Sequence, residues 1–194
     1  MIKETSGSNQ SKQIIINNIA YIDGGRIPKT SKTTIGGIIY VDGRELIQYS
    51  DIGGDGGSTD AEFFSLIKCL DLAKKYGLKS LRIKTDSKIV GNIFKTEYDV
   101  ISAMIYELEN NPDNKGLYRA ISKRAKERFS NIIDMQYWLN KNQDNLKSKS
   151  ACNPKYKDQI DKLIRNIHIS IEHISREENS IADGLCRKAR KKIN

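Results

Sequence analysis

Four acids, Asp23, Glu62, Asp86 and Asp183, stand where carboxylates border apolar sequence. Asp23 ends an isoleucine-rich run just ahead of Gly24-Gly25, and Asp86 follows the run Leu81 to Thr85. Glu62 shares a helical face with Leu66, Cys69 and Ala73, so it edges a stripe that must face a core. Asp183 follows Ala182 in a segment whose apolar stripe is Ala182, Leu185 and Ala189. Singly, each acid has an ordinary use. Asp23 could turn the chain, Glu62 could close a capping box begun by Thr59, and Asp86 could cap a helix. Jointly they point elsewhere. Four carboxylates drawn to one point repel and raise one another's pKa unless cations intervene. Hard divalent ions with oxygen ligands relieve that, and Mg²⁺ suits a site completed by water and phosphate oxygens. Two such ions about 3.5–4 Å apart clamp the attacking and leaving oxygens of a phosphoryl displacement. The chemistry expected is metal-assisted phosphodiester hydrolysis.

The elements that must position these acids follow from periodicity. Ile14 to Asp23 predicts a first strand, Thr34 to Val41 a second, and Arg44 to Ile52 a third, with Asp42-Gly43 as the hairpin turn between the last two. A glycine-rich loop over 53–57 leads to a helix from Asp60 to Tyr76, ended by Gly77. Leu81 to Thr85 predicts a fourth strand, followed by a short helix through Phe94. A mostly helical region covers 97–166, punctuated by Pro112 and Pro154. Alternation from Ile167 to Glu172 predicts a fifth strand, and a last helix follows from about Glu177 to Lys192. Three strands joined by hairpins, then strands joined by crossovers, make one mixed α/β sheet flanked by helices. Its active site belongs at the ends of adjacent parallel strands.

Composition narrows the function classes. With 38% hydrophobic and 29% charged residues the chain is globular, and a net charge of +9 favours a polyanionic partner such as nucleic acid. The cysteines Cys69, Cys152 and Cys186 lack metal-ligand spacing, which excludes a structural zinc site, and an odd number argues against a disulfide framework. Residues 1–13 carry no apolar signal core and read as a flexible terminus, and no run is long enough for a membrane span. A cytoplasmic protein with no membrane partner is the expectation.

Four stretches then bring a known family to view: Ala20-Tyr-Ile-Asp-Gly-Gly25, Ala61 through Ala73, Ile83-Lys-Thr-Asp-Ser87, and His173 through Ala189. In this order and on these elements the chain resembles type 1 ribonuclease H. The resemblance is to the variant whose last motif runs His-x-x-Arg-Glu-x-Asn-x-x-Ala-Asp. It implies a ribonuclease H-like five-stranded sheet over 14–192, with 97–166 as an enlarged helical insertion before the last strand. It implies that Asp23, Glu62, Asp86 and Asp183 bind two Mg²⁺ ions, with Mn²⁺ as an alternative. It also implies that His173 aids leaving-group protonation or product release. The substrate implied is an RNA/DNA hybrid, cut in its RNA strand to leave 3′-hydroxyl and 5′-phosphate ends. Gly24, Ser58, Thr59, Ser87, Arg176 and Asn179 flank the acids and are the candidate substrate contacts.

Two departures qualify the resemblance. Ser58 and Thr59 stand where relatives often carry asparagine, and the 97–166 region is longer than usual. That region is basic, and Arg119, Lys123, Arg124, Lys126, Arg128 and Trp138 are its candidate nucleic-acid contacts. The competing expectation is a solvated helix face, with Ile121, Phe129, Ile132, Ile133 and Trp138 turned to a core. Two other functions share this architecture, a non-catalytic binder of hybrid or duplex RNA and a DNA strand-transfer enzyme.

Overall fold

The computed structural model describes residues 17–192. The expected start of the first strand at 14–16 and the terminus 1–13 lie outside the described residues. Strands β1 (Ile19–Arg26), β2 (Lys32–Val41), β3 (Arg44–Asp55), β4 (Ser80–Thr85) and β5 (His168–His173) form one sheet in the order β3-β2-β1-β4-β5. The first three pair antiparallel, and β4 and β5 join parallel to β1. Helix α1 (Ser58–Lys75) crosses one face and α8 (Ser180–Arg190) the other. This is the mixed sheet expected from the order of hairpins and crossovers.

Two strands outrun their sequence boundaries for one reason. Gly24-Gly25 and Gly53-Gly54 read as stops, yet they continue β1 and β3. Alternate residues of a strand point to opposite faces. A β-carbon on Gly24 would meet the Ala61 backbone of α1 at 2.3 Å, and one on Gly25 would meet Cys186 Sγ of α8 at 3.3 Å. These glycines are therefore seats for helices and not turns.

The main core lies between the sheet and α1. Ala20, Ile22, Phe63, Leu66, Leu70, Leu81 and Ile83 are fully buried there. Each large one contributes about 1.5–3 kcal/mol by leaving water. Helix α7 (Pro154–Ile164), begun by Pro154 in its first turn, packs on α1 and stacks Tyr156 against Phe63 at 4.5 Å between ring centres.

The region expected as one insertion divides in two. After the short α2 (Lys88–Gly91), helices α3 (Glu97–Asn110), α4 (Lys115–Ala125), α5 (Ile132–Lys141) and α6 (Gln143–Lys147) form a lobe with its own core. Ile101, Leu108, Ile121 and Met135 are buried at its centre. The chain enters and leaves that lobe at one neck. Thr96 bridges Ser150 antiparallel, the Glu97 N–H donates to the Lys149 carbonyl at 2.9 Å, and the Ala151 N–H donates to the Lys95 carbonyl at 2.9 Å. Helix α7 lies past the neck and belongs to the sheet layer.

Candidate active site

The site grows from where β1 and β4 part. Their parallel register pairs Ile19 with Arg82 and Tyr21 with Lys84, and there the ladder ends. Carried two steps further, the same register sets Asp23 opposite Asp86. Splayed carboxyl ends of adjacent parallel strands open a crevice, the usual ligand position in such sheets. One side chain spans the gap. Asn179, just before α8 and 1% exposed, donates from Nδ2 to the Ile22 carbonyl at 2.9 Å and to Asp86 Oδ1 at 2.7 Å. It replaces the missing ladder bonds and aims the Asp86 carboxylate.

Neither helix-capping duty expected of the acids falls on them. The cap of α1 is Gly57, whose N–H donates to Asp60 Oδ2 at 2.8 Å, so Asp60 and not Glu62 closes the first turn. Ser87, not Asp86, caps α2, its hydroxyl accepting from the Val90 N–H at 3.4 Å. Glu62 and Asp86 are thereby free for other work. Glu62 reaches the site because Gly24 lets α1 sit against β1. Asp23, 9% exposed, points to the opposite face, towards Cys186 and α8.

Electrostatics mark these acids as a set. Burial first, then the charge on Asp86, pushes the Asp23 carboxyl up from 3.8 to about 6. Burial, then Asp23 and Asp86, pushes Glu62 up from 4.5 to about 8. Glu62 is only half-buried as a residue, but its Oε2 is enclosed and has no hydrogen-bond partner. Among the described residues no lysine or arginine forms an ion pair with Asp23, Glu62 or Asp86. Asp183 differs. Arg187 holds one of its oxygens at 2.6 Å and Arg176 stands 3.7 Å from the other.

The donor set, all carboxylate oxygen with one orphaned atom and unrelieved repulsion, fits a hard divalent cation. Among the described residues no three His, Cys, Asp or Glu side chains already converge closely enough to hold an ion. An ion that also engaged Asp183 would first have to break its 2.6 Å pair with Arg187.

A pH dependence follows. Both carboxyls titrate higher folded than unfolded, so the folded chain binds more protons between about pH 4 and about pH 8. Without divalent ions, these two groups make stability fall as pH rises through that window. Glu62→Gln should recover about 2 kcal/mol at the upper end, or roughly 6 °C in thermal midpoint, and nothing at the lower end. Melting curves in chelator check this. An equal gain at both ends would mean that the Glu62 charge is not what the fold opposes.

The remaining expected contacts separate. His173 ends β5 beside Thr85 of β4, and its Nε2 lies 3.2 Å from the Asp86 carbonyl. A carbonyl only accepts, so that nitrogen carries the hydrogen and Nδ1 is left over. Ser58 and Thr59 are exposed on the first turn of α1, and Arg176 is exposed beside Asp183. Gly24 seats α1 and is only half-buried, Ser87 caps α2 and is buried, and Asn179 spends its Nδ2 between the strands while its enclosed Oδ1 has no hydrogen-bond partner. In the lobe, Arg119, Lys123, Lys126 and Arg128 are exposed. Arg124 is drawn to Glu97 by two bonds of 2.8 and 2.7 Å, and Trp138, half-buried, packs edge-on against Phe129 at the margin of the lobe's core. Ile133, expected in that core, is 74% exposed. Along α8 the buried stripe is Ala182, Cys186 and Ala189, with Leu185 at its margin.

No protein-family model matches the sequence, and no curated protein does. Solved structures do. Ribonuclease H1 from the halophilic archaeon Halobacterium salinarum superposes with a TM-score of 0.52 at 17% identity, covering 90% of this chain and 98% of that one. LC11-RNase H1 in complex with an RNA/DNA hybrid gives 0.54 at 18% identity, over 91% and 98%. The N-terminal RNase H domain of a Mycobacterium tuberculosis protein gives 0.51 at 19%, over 90% and 99%. The fold is that of ribonuclease H. Among the described residues no helix is long and apolar enough to cross a membrane.

Proposed function

We propose that the chain is a ribonuclease H, hydrolysing the RNA strand of RNA/DNA hybrids to 3′-hydroxyl and 5′-phosphate ends. The observation that carries this is the unneutralised acid set at the parting of β1 and β4, with Asn179 aiming Asp86 into it. In the proposal Asp23, Glu62, Asp86 and Asp183 hold two Mg²⁺ ions, or Mn²⁺ in their place. When bound, these ions supply charge neutralisation at the scissile phosphate and activation of water for an in-line displacement. Asn179 fixes the carboxylate at 86, and burial of Asp23 and Glu62 keeps their oxygens from competing solvent. His173, whose ring Nε2 donates to the Asp86 carbonyl, would as an imidazolium give the Nδ1 proton to the departing oxygen. Ser58, Thr59 and Arg176, all exposed, would contact the hybrid beside the acids. Arg119, Lys123, Lys126 and Arg128 on the lobe would meet phosphates.

A hybrid labelled in its RNA strand, incubated with Mg²⁺ and with chelator, tests the reading. Metal-dependent RNA cleavage is expected, and His173→Ala should slow it about ten- to a hundredfold without abolishing it. An unchanged rate in that variant would return His173 to a strand-end residue. The ion pairs on Asp183 favour a second reading, a non-catalytic hybrid binder in which the fourth acid is permanently occupied. Tight hybrid binding with no cleavage in Mg²⁺ or Mn²⁺ would select it. Cleavage of duplex DNA in place of hybrid would select strand-transfer chemistry.

A further inference from the structure

A lysine-walled cleft of about 460 Å³ runs along β3, the outer strand of the sheet, away from the acids. Its floor is the strand from Ile47 to Asp51. Lys68 and Lys75 of α1 form one wall, and Lys188 of α8 with Lys192 just past it form the other. Asp51 is the only carboxylate among the residues lining it, 3.8 Å from Lys68. Four lysines carried on or just past helices on opposite faces of the sheet thus line one open edge.

We propose that this cleft anchors phosphate groups of a polynucleotide at a second point, outside the acid centre. That the polynucleotide is the hybrid rests on the function proposed above. Register places the cleft. Asp23 pairs with Gly36, and Gly36 pairs with Ser50, so the cleft's upper end is level with Asp23. Two strand spacings separate them, about 10 Å. A phosphate held there belongs to a nucleotide only a few steps from the one at the acids. An acidic peptide is the competing ligand, and it would dock by adding a strand to the free edge of β3. That edge is obstructed: the Lys192 ammonium donates to the outward carbonyl of Ser50 at 2.7 Å. Phosphate oxygens need only the ammonium groups, and each phosphate so neutralised releases counterions, which makes binding steeply salt-dependent.

The test uses the full chain in chelator, so that no strand is cut, with Lys75→Gln/Lys188→Gln compared with wild type. Both lysines are exposed, and glutamine keeps their polar character. Anisotropy titrations over a range of salt would follow two labelled hybrids, one of about 20 base pairs and one too short to reach past the acids. For the long hybrid the variant should bind about tenfold more weakly, and its log–log salt slope should shrink by about 2. Short-hybrid affinity, and turnover of the short hybrid in Mg²⁺, should stay within about twofold. An unchanged slope on the long hybrid would overturn the proposal, leaving the lysines as guards of the sheet edge. Equal losses on both lengths would also overturn it, as a mere change of net charge. So would labelled poly-glutamate binding wild type but not the variant while the long hybrid fails to displace it, which would assign the cleft to an acidic peptide. If wild type binds the long hybrid with the expected slope difference yet cuts nothing in Mg²⁺, the cleft stands and the nuclease reading falls.

Discussion

Asp86→Asn is expected to lower Mg²⁺-dependent cleavage of the RNA strand by about a thousandfold or more while leaving hybrid affinity within a few-fold. The reason lies in what the amide keeps and what it loses. Asp86 Oδ1 accepts from Asn179, and an amide oxygen can accept that bond equally well. The tie between α8 and β4 therefore survives. The charge does not, and charge is what a cation would bind. The same charge helps raise the Asp23 and Glu62 carboxyls, so its removal relaxes both downward. The variant should accordingly be at least as stable as wild type in chelator at neutral pH. Activity and stability moving in opposite directions is a result that misfolding cannot produce. Residual cleavage within tenfold of wild type, or hybrid binding lost along with cleavage, would remove Asp86 from the proposed metal set.

Gly36→Ala should be among the most damaging small substitutions in the sheet. A β-carbon there would lie 2.2 Å from the Cys186 nitrogen and 2.6 Å from the Ala182 carbonyl oxygen. Both are backbone atoms of α8, so no rotamer change relieves the clash; the helix itself must lift. A cost of about 3 kcal/mol or more is expected, with a fall in thermal midpoint of roughly 6–12 °C. Because Asn179 and Asp183 ride on that helix, cleavage should fail even where the variant remains folded. Gly184→Ala is the control. Nothing lies within 4 Å of its β-carbon, and alanine should stabilise α8 by about 0.5–1 kcal/mol. Denaturant curves for the pair check the contrast, and a Gly36→Ala cost below about 1 kcal/mol would show that α8 can slide over the sheet.

Much of this architecture is legible in the residues, and the gaps have physical causes. Alternation and helical spacing locate β2 to β5 and the helices α1 and α8 to within a few residues, because those signals are local, whereas β1 begins later than expected, at Ile19. Glycine pairs mislead, since Gly24-Gly25 and Gly53-Gly54 look like turns unless the helices pressed against them are known. The last helix begins at Ser180 and not near Glu177 because Ser175 and Glu178 close a reciprocal turn first, the Ser175 N–H donating to Glu178 Oε2 at 2.8 Å. The four acids stand out because a carboxylate beside apolar neighbours is unusual in any context. Asn179 also bridges two strands, a role its position does not suggest. Its partners lie 157 and 93 residues away, and no local pattern shows an amide bridging two strands. Trp138 has the character of a stacking platform, and the lobe's separate core, against which it packs half-buried, depends on contacts between helices that spacing alone does not specify.

The neck at Thr96 and Ser150 has a consequence for how this protein can vary. A segment whose two ends are already hydrogen-bonded side by side exerts no pull on the strands beyond them. Residues between those ends can be lengthened, shortened or exchanged at the cost of loop closure alone, which grows only slowly with length. The lobe is in that sense a cassette. Grafting a different helical hairpin between Lys95 and Ala151 would change the lobe's surface, while the spacing of the acids, set by β1, α1, β4 and α8, stays as it is.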